Sequence, residues 1–400
     1  MMKSSARLFV VGLFLQTAGC GSGGAPSSPS AVQATTATAV ATPSPSVSPA
    51  PTRALSTNDV SVLFPLGKGE LWAVSMSARN GEPLLPRGAL DQVGRQVIRE
   101  FQPGDATYVG LRVVSLRVDP CFSGTPCYPQ IRLVLQGLTP DRTRAFDGSF
   151  HALYNLTAED FAAMVAKLKT IALLAPENVN VTRLEVSPAL LAQGMSGQYG
   201  LALRDLVTTF IGTSNLAKLT FMTRQQGGGT QWDFGGVNLR DFSPGGAFPI
   251  AGIDGTVVTQ TVREVNQGGG NAGYAYTVTP SAFRGQLAQV LTSNAAQSTS
   301  ASERQRAMDV LARAENPLLE SPDTLDCGAC HLANRIRGNL ETTFGLSSSL
   351  SYTSSAEAAR LIGGAERNNE NLRAFGYFDA QPAISQRTAN ETLKVLVALR

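Results

Sequence analysis

The sequence contains little histidine, little charge and few aromatic residues, and each shortage excludes a class of protein. Only two histidines, His151 and His331, occur in 400 residues, which excludes a metal site built from several histidines of this chain. Charged residues make up 16%, which argues against a long coiled coil or a charged disordered protein. The formal net charge is +3, so no nucleic-acid partner is indicated. The hydrophobic share of 43% is that of a globular chain long enough for two domains.

The N-terminal segment has the pattern of an export signal. Residues 1–7 are basic, and the apolar run at residues 8–15 is shorter than the ~20 residues that span a bilayer, so residues 1–19 are predicted to be a cleaved signal peptide. The sequence Thr17-Ala18-Gly19-Cys20 resembles the lipobox of bacterial lipoproteins. That resemblance implies that the Cys20 thiol is acylated and that the chain is anchored in the cell envelope. By the same resemblance, the non-acidic Gly21 implies sorting to the outer membrane. The alternative to a lipoprotein is a plain secreted protein with an unmodified Cys20.

Two further regions follow the predicted anchor. Residues 21–52 contain no charged and no aromatic side chain, so residues 20–56 are predicted to be a disordered tether. Residues 57–290 combine short apolar or alternating segments with two helical patterns. This order favours an α+β domain with a mostly antiparallel sheet, whose role the sequence does not indicate.

Several local features of that domain can be predicted. The apolar positions of Tyr108–Val118 change face at Val113-Val114, which indicates a β-bulge or burial on both faces. Thr157 has the spacing of a helix cap, and a second helix is predicted over Leu190–Phe210.

Four cysteines remain after Cys20, and they form two close pairs. Cys121 and Cys127 lie between two predicted strands, with Gly124 and Pro126 between them. In an exported chain this spacing predicts a disulfide that closes a hairpin loop. A metal or redox site is the alternative.

The second pair belongs to the motif Cys327-Gly-Ala-Cys330-His331. The pattern C-x-x-C-H is the attachment motif of haem c. Positions i, i+3 and i+4 share one face of a helix, so two thiols and an imidazole can approach one haem. The alternatives are a disulfide with an incidental histidine, or a thioredoxin-like redox pair.

With this motif, residues 300–400 resemble a c-type cytochrome domain. Helices are predicted before the motif, from the cap Ser300, and after it, at Ala356–Ile362 and from about Thr388. The resemblance implies a small helical domain with one covalent haem. It further implies that Cys327 and Cys330 form the thioethers and that His331 is the proximal ligand of the iron.

The sequence departs from that family at the second axial position of the iron. No methionine or histidine follows His331, so the distal ligand must be absent, unusual or supplied from upstream, where His151 and Met308 are candidates. Alternatively, His151 is a hydrogen-bonded histidine and Met308 a core residue. Further candidates around a haem are Arg335 and Arg337, as partners of its propionates or as residues of a solvated helix face. Tyr377 and Phe378 are candidates for crevice walls or for core residues.

Three functions are therefore open. The first is a membrane-anchored lipoprotein whose single haem c transfers electrons to a partner protein or senses redox state. The second is a peroxidase-like enzyme with an open distal site. The third is a haem-free binding lipoprotein in which Cys327 and Cys330 form a disulfide. The sequence favours an electron carrier over a catalyst.

Overall fold

A computed structural model gives the fold of the chain. It describes residues 53–91, 105–122, 128–176, 182–224, 231–239, 260–265, 275–279, 300–320, 327–352, 355, 357–358 and 374–400. Pro51–Arg400 form one compact unit. The predicted signal peptide, Cys20 and nearly all of the tether lie outside the described residues.

The strands build one large sheet and two small ones. They are β1 (Ser61–Leu63), β2 (Leu111–Asp119), β3 (Gln130–Leu138), β4 (Ala145–Asn155), β5 (Arg183–Leu184), β6 (Leu216–Arg224), β7 (Gln231–Asn238), β8 (Gln260–Val265), β9 (Ala275–Thr279), β10 (Glu357–Ala358), β11 (Phe375–Phe378) and β12 (Gln381–Ile384). Eight of them form an antiparallel sheet in the order β1-β2-β3-β4-β6-β7-β8-β9. In addition, β5 pairs with β10 in parallel, and β11 with β12 as an antiparallel hairpin.

The helices are distributed along the whole described chain. They are α1 (Thr57–Val60), α2 (Asp105–Gly110), α3 (Ala158–Ala172), α4 (Pro188–Gln193), α5 (Gln198–Phe210), α6 (Ala301–Glu315), α7 (Cys327–Phe344) and α8 (Gln386–Leu399), with short 3-10 turns at Arg79–Gly81 and Thr213–Asn215. The predicted α+β class with a mostly antiparallel sheet is confirmed.

Two hydrophobic clusters hold these elements together. The larger cluster combines the sheet with α3, α4 and α5, and also takes in Phe375, Tyr377 and Leu396 from β11 and α8. The smaller cluster packs α6 and α7 against Met222 of β6 and Phe234 of β7. Among the described residues, the smaller cluster therefore contains side chains of the sheet as well as of the region 300–400, and the division into two domains stays a prediction. The region 300–400 contains a β-hairpin as well as helices.

Local predictions were right where a short pattern decides the structure. The pairing of β2 with β3 shifts register between Val113 and Ser115, which confirms the predicted bulge. The side chain of Thr157 caps α3 by accepting a hydrogen bond from the amide of Asp160. Ser300 caps α6 in the same way.

Two predicted helices were wrong. The segment Leu190–Phe210 is divided into α4 and α5, because Gly194 has a left-handed backbone with φ 71° that ends α4. Within the predicted helix Ala356–Ile362, Glu357 and Ala358 pair in parallel with β5, and 359–362 lie outside the described residues.

Candidate functional site

The C-x-x-C-H motif forms the start of α7. Cys327 is the first residue of this helix, so Cys330 and His331 follow within its first turn and a half. All three side chains are half-buried. Because α-helical residues three and four apart are neighbours, the two sulfurs and the imidazole lie along one face, as the motif predicts.

A strand of the large sheet contacts the histidine of the motif. The ring centroids of Phe234, on β7, and His331 lie 5.0 Å apart, with 48° between the ring planes. Phe234 is 1% exposed and belongs to the smaller hydrophobic cluster, against which Cys327 also packs. The motif therefore lies at the edge of an apolar core. Nothing in the sequence links Phe234 to His331, because the contact depends on how α7 packs on the sheet.

The donor set fits covalent attachment of a haem. Cys327 and Cys330 are both thiols in the structure, one helical turn apart, and the imidazole directly follows the second thiol. The half-buried position leaves each of the three side chains part of its surface for a bound group. The arrangement can thus supply two sulfur nucleophiles and one imidazole ligand from a single turn.

Arg337 was a candidate for binding haem propionates, and the structure gives it other partners. Its guanidinium group binds Glu315 of α6 and Glu341 one turn further along α7. Burial raises the pKa of the Glu315 carboxyl, although the attraction of Arg337 acts against this rise. Arg337 therefore ties α6 to α7 and does not lie on a solvated helix face. The side chain of Arg335 lies outside the described residues.

A buried group of charges connects α8 to the end of α6 and to the sheet. Arg387 of α8 is 2% exposed and donates to the carbonyl oxygens of Ala314 and Glu320, at the end of α6 and just beyond it. It also pairs with Glu391 at 2.7 Å, and Glu391 in turn binds Arg117 of β2 at 3.0 Å. This group was not predicted, since its members come from three distant segments.

Arg387 of this group interacts electrostatically with Cys330 of the motif. Burial works to lower the pKa of Arg387, but the attraction of Glu391, and to a smaller degree that of Cys330, raises it. The guanidinium group of Arg387, which is paired with Glu391, therefore lies within electrostatic range of the Cys330 sulfur.

The candidates for the distal ligand lie on two elements. His151, on β4, is opposite Thr220 of β6, and Thr220 is opposite Gly236 of β7. Cross-strand partners share a sheet face, so His151 projects from the same face as Phe234, two residues before Gly236. Both histidines of the chain are thus on the same side of the sheet.

Two methionines lie in the same hydrophobic cluster as Phe234. Met222 is the cross-strand partner of Phe234, and Met308 is buried in the same cluster. Met308 is fully buried, which agrees with the expectation that it is a core residue. Tyr377 is likewise buried, and its hydroxyl donates to the carbonyl of Phe64, so this side chain belongs to the core; Phe378 is half-buried on the same strand.

The first cysteine pair is described only in part. Cys121 is disulfide-bonded. Its predicted partner, Cys127, lies outside the described residues, so the pairing stays a prediction.

Comparison with known proteins and a search for other sites add three findings. No family model, no curated protein and no solved structure matches this chain. Within the described residues, no three histidine, cysteine, aspartate or glutamate side chains converge to hold a metal ion. No helix in the described part of the chain is long and apolar enough to cross a bilayer.

Proposed function

We propose that this protein is an envelope lipoprotein, anchored through acylated Cys20, that carries one covalent haem c at Cys327, Cys330 and His331 and serves in electron transfer or redox sensing. The observation that carries the proposal is the position of C-x-x-C-H on the first turn of α7, with two thiols and an imidazole all half-buried along one helix face. The export signal supports it, because haem c is attached outside the cytoplasm.

The residues of the site have separate roles in this proposal. The sulfurs of Cys327 and Cys330 hold the haem, and the imidazole of His331 binds its iron. Phe234 restricts the orientation of the imidazole by packing against it at 5.0 Å between centroids. When bound, the haem supplies an iron that takes up and releases one electron.

Intact mass tests both covalent modifications, and fatty-acid labelling tests the anchor separately. The full chain is produced in a diderm host with a haem-ligation system, and its intact mass is determined. The expected mass is that of the polypeptide from Cys20 onwards plus acyl chains and one haem, which acid extraction does not remove because thioethers survive denaturation. Labelled fatty acid should enter the wild type but not Cys20→Ser.

The two cysteine pairs provide a matched control. The variant Cys327→Ser/Cys330→Ser should lose the haem mass and the Soret band. The variant Cys121→Ser/Cys127→Ser removes the same number of sulfurs elsewhere and should keep both. A wild-type protein without haem mass contradicts the proposal, and the haem-free lipoprotein with a Cys327–Cys330 disulfide then becomes the better description.

Carbon monoxide binding to the reduced protein separates the roles of the haem. If His151 occupies the distal position, the wild type binds carbon monoxide slowly and His151→Ala binds it readily. If Met222 occupies it, Met222→Ala is the variant that binds readily. Ready binding by the wild type indicates an open position and favours gas sensing or peroxidase-like chemistry.

A further inference from the structure

Four exposed leucines lie just after α3 and on the two helices that meet its end, α4 and α5. Leu173 and Leu174 follow the last residue of α3, Leu191 lies on α4 and Leu201 on α5, with 41%, 37%, 46% and 41% of their surfaces exposed. We call these four residues the leucine patch. Single exposed leucines are ordinary on protein surfaces, whereas a contiguous group suggests a contact surface.

Hydrogen bonds bring the three elements together. The side-chain amide of Gln193, the last residue of α4, donates to the carbonyl of Leu174 at 2.7 Å and accepts from the amide of Tyr199 in the first turn of α5 at 3.0 Å. The end of α3 is therefore beside the start of α5.

The pairing of α3 with α5 places Leu174 and Leu201 on one side. Lys167 of α3 binds Asp205 of α5, and Leu174, seven residues after Lys167, lies beside the start of α5, so the two helices run antiparallel. Leu201 lies one turn before Asp205, and Leu174 lies two turns after Lys167, so both project from the side that carries this exposed pair. Leu174 and Leu201 thus lie on one side of the α3–α5 pair, and Gln193 joins α4 to the end of α3 and to the start of α5.

The described chain begins next to this patch. Arg53, its first residue, donates to the carbonyl of Ala172, the residue that precedes Leu173. Arg53 also binds Asp59 at 3.2 Å, and Leu55 is buried. The described chain therefore starts at a residue whose side chain lies beside the end of α3.

We propose that the leucine patch is a membrane-contact surface that lies against the bilayer in which Cys20 is anchored. The proposal rests on the lipid anchor of the proposed function, because a tether that joins the molecule beside the patch raises the effective concentration of lipid there. Leucine side chains insert into the boundary between headgroups and acyl chains. Two exposed basic residues of the same helices, Lys169 and Arg204, suit anionic headgroups. Contact through the patch orients the molecule instead of leaving it to tumble on its tether.

The test measures the affinity of the patch for lipid without the anchor. Residues 21–400 contain the whole compact unit and are secreted behind a cleavable signal, in the same haem-ligating host. Flotation with vesicles of phosphatidylethanolamine and phosphatidylglycerol then gives the partition coefficient. The variant Leu174→Asp/Leu191→Asp/Leu201→Asp should partition about tenfold less than the parent.

A second variant, which places two aspartates at exposed leucines elsewhere on the surface, serves as a control. Leu318 and Leu319 are 65% and 46% exposed and follow α6, so Leu318→Asp/Leu319→Asp should float like the parent. The proposal is overturned if the parent does not float or if both variants lose binding equally. Near-UV circular dichroism checks folding, and Leu201→Asp alone replaces the triple variant if that one does not fold. A missing acyl or haem mass on the full chain refutes the proposed function without affecting this result.

Discussion

At the scale of single residues, Glu391 shows how the charges of one cluster depend on each other. Its carboxylate is held between Arg387, which is 2% exposed, and Arg117. Burial by itself raises the pKa of Glu391, but the guanidinium groups of Arg387, Arg117 and Arg132 outweigh this effect and hold the pKa below the usual value. The charges are therefore interdependent, because removing one leaves its partners buried and unbalanced.

This environment predicts a pH-dependent loss of stability in Glu391→Gln. At neutral pH the variant should lose about 3 kcal/mol in free energy of unfolding, since the buried guanidinium group of Arg387 and the half-buried one of Arg117 lose their counterion. The lowered folded-state pKa means that the stabilisation is complete above the unfolded pKa of about 4.3 and disappears as the pH falls through the folded value. Urea unfolding at neutral and acidic pH measures both effects.

An exposed glutamate provides the comparison. Glu70 is 70% exposed and pairs with Arg142 at 3.1 Å, so Glu70→Gln should change stability by less than about 0.5 kcal/mol at either pH. Equal losses for the two variants would show that the ion pairs of Glu391 contribute no more to the free energy of unfolding than the exposed pair of Glu70.

At the scale of elements, the break between α4 and α5 depends on close backbone packing. A Cβ atom on Gly200, in the first turn of α5, would lie 2.5 Å from the carbonyl oxygen of Met195. Since backbone cannot move aside as a flexible side chain can, only glycine allows α5 to begin this close to the turn after α4. The sequence pattern of Leu190–Phe210 gives no sign of this contact, which is why one continuous helix was predicted.

Gly200→Ala should therefore destabilise the protein, although alanine is the better helix former. Propensity alone would stabilise the helix by about 1 kcal/mol, whereas the clash with the Met195 carbonyl should produce a net loss of roughly 2 kcal/mol. Gly88→Ala is the matched control, because its Cβ meets nothing within 4 Å and its backbone is helical. Thermal unfolding should give a lower melting temperature for Gly200→Ala alone; an unchanged one would disprove the packing argument.

At the scale of the whole molecule, the chain from Pro51 to Arg400 is one compact unit. The hydroxyl of Tyr377 donates to the carbonyl of Phe64 at 2.6 Å, and the hydroxyls of Ser61 and Thr392 are hydrogen-bonded at 2.7 Å. The last elements of the chain thus complete the core that the first elements begin. A molecule connected in this way should unfold cooperatively.

The two tryptophans allow this to be measured. Trp72 lies in the larger hydrophobic cluster and Trp232 in the smaller one. The fluorescence of Trp72→Phe and that of Trp232→Phe should therefore report urea transitions that coincide with far-UV circular dichroism of the same variant. Two separate midpoints within one variant would instead indicate independent domains with a boundary near residues 290–300.

The sequence by itself determined the features that depend on neighbours a few positions apart. The caps at Thr157 and Ser300, the bulge after Val113 and the placement of the C-x-x-C-H residues on a helical turn all follow from spacings of one to four residues. The α+β class followed from the mixed order of helical and strand patterns.

Only the tertiary structure decided which distant residues meet. Phe234 contacts His331 because α7 packs on the sheet, and Glu315 forms an ion pair with Arg337 because α6 packs against α7. The register of the strands places His151 on the same sheet face as Phe234. Such contacts arise from the packing of whole elements, to which each residue contributes a small part, so no short stretch of sequence contains them.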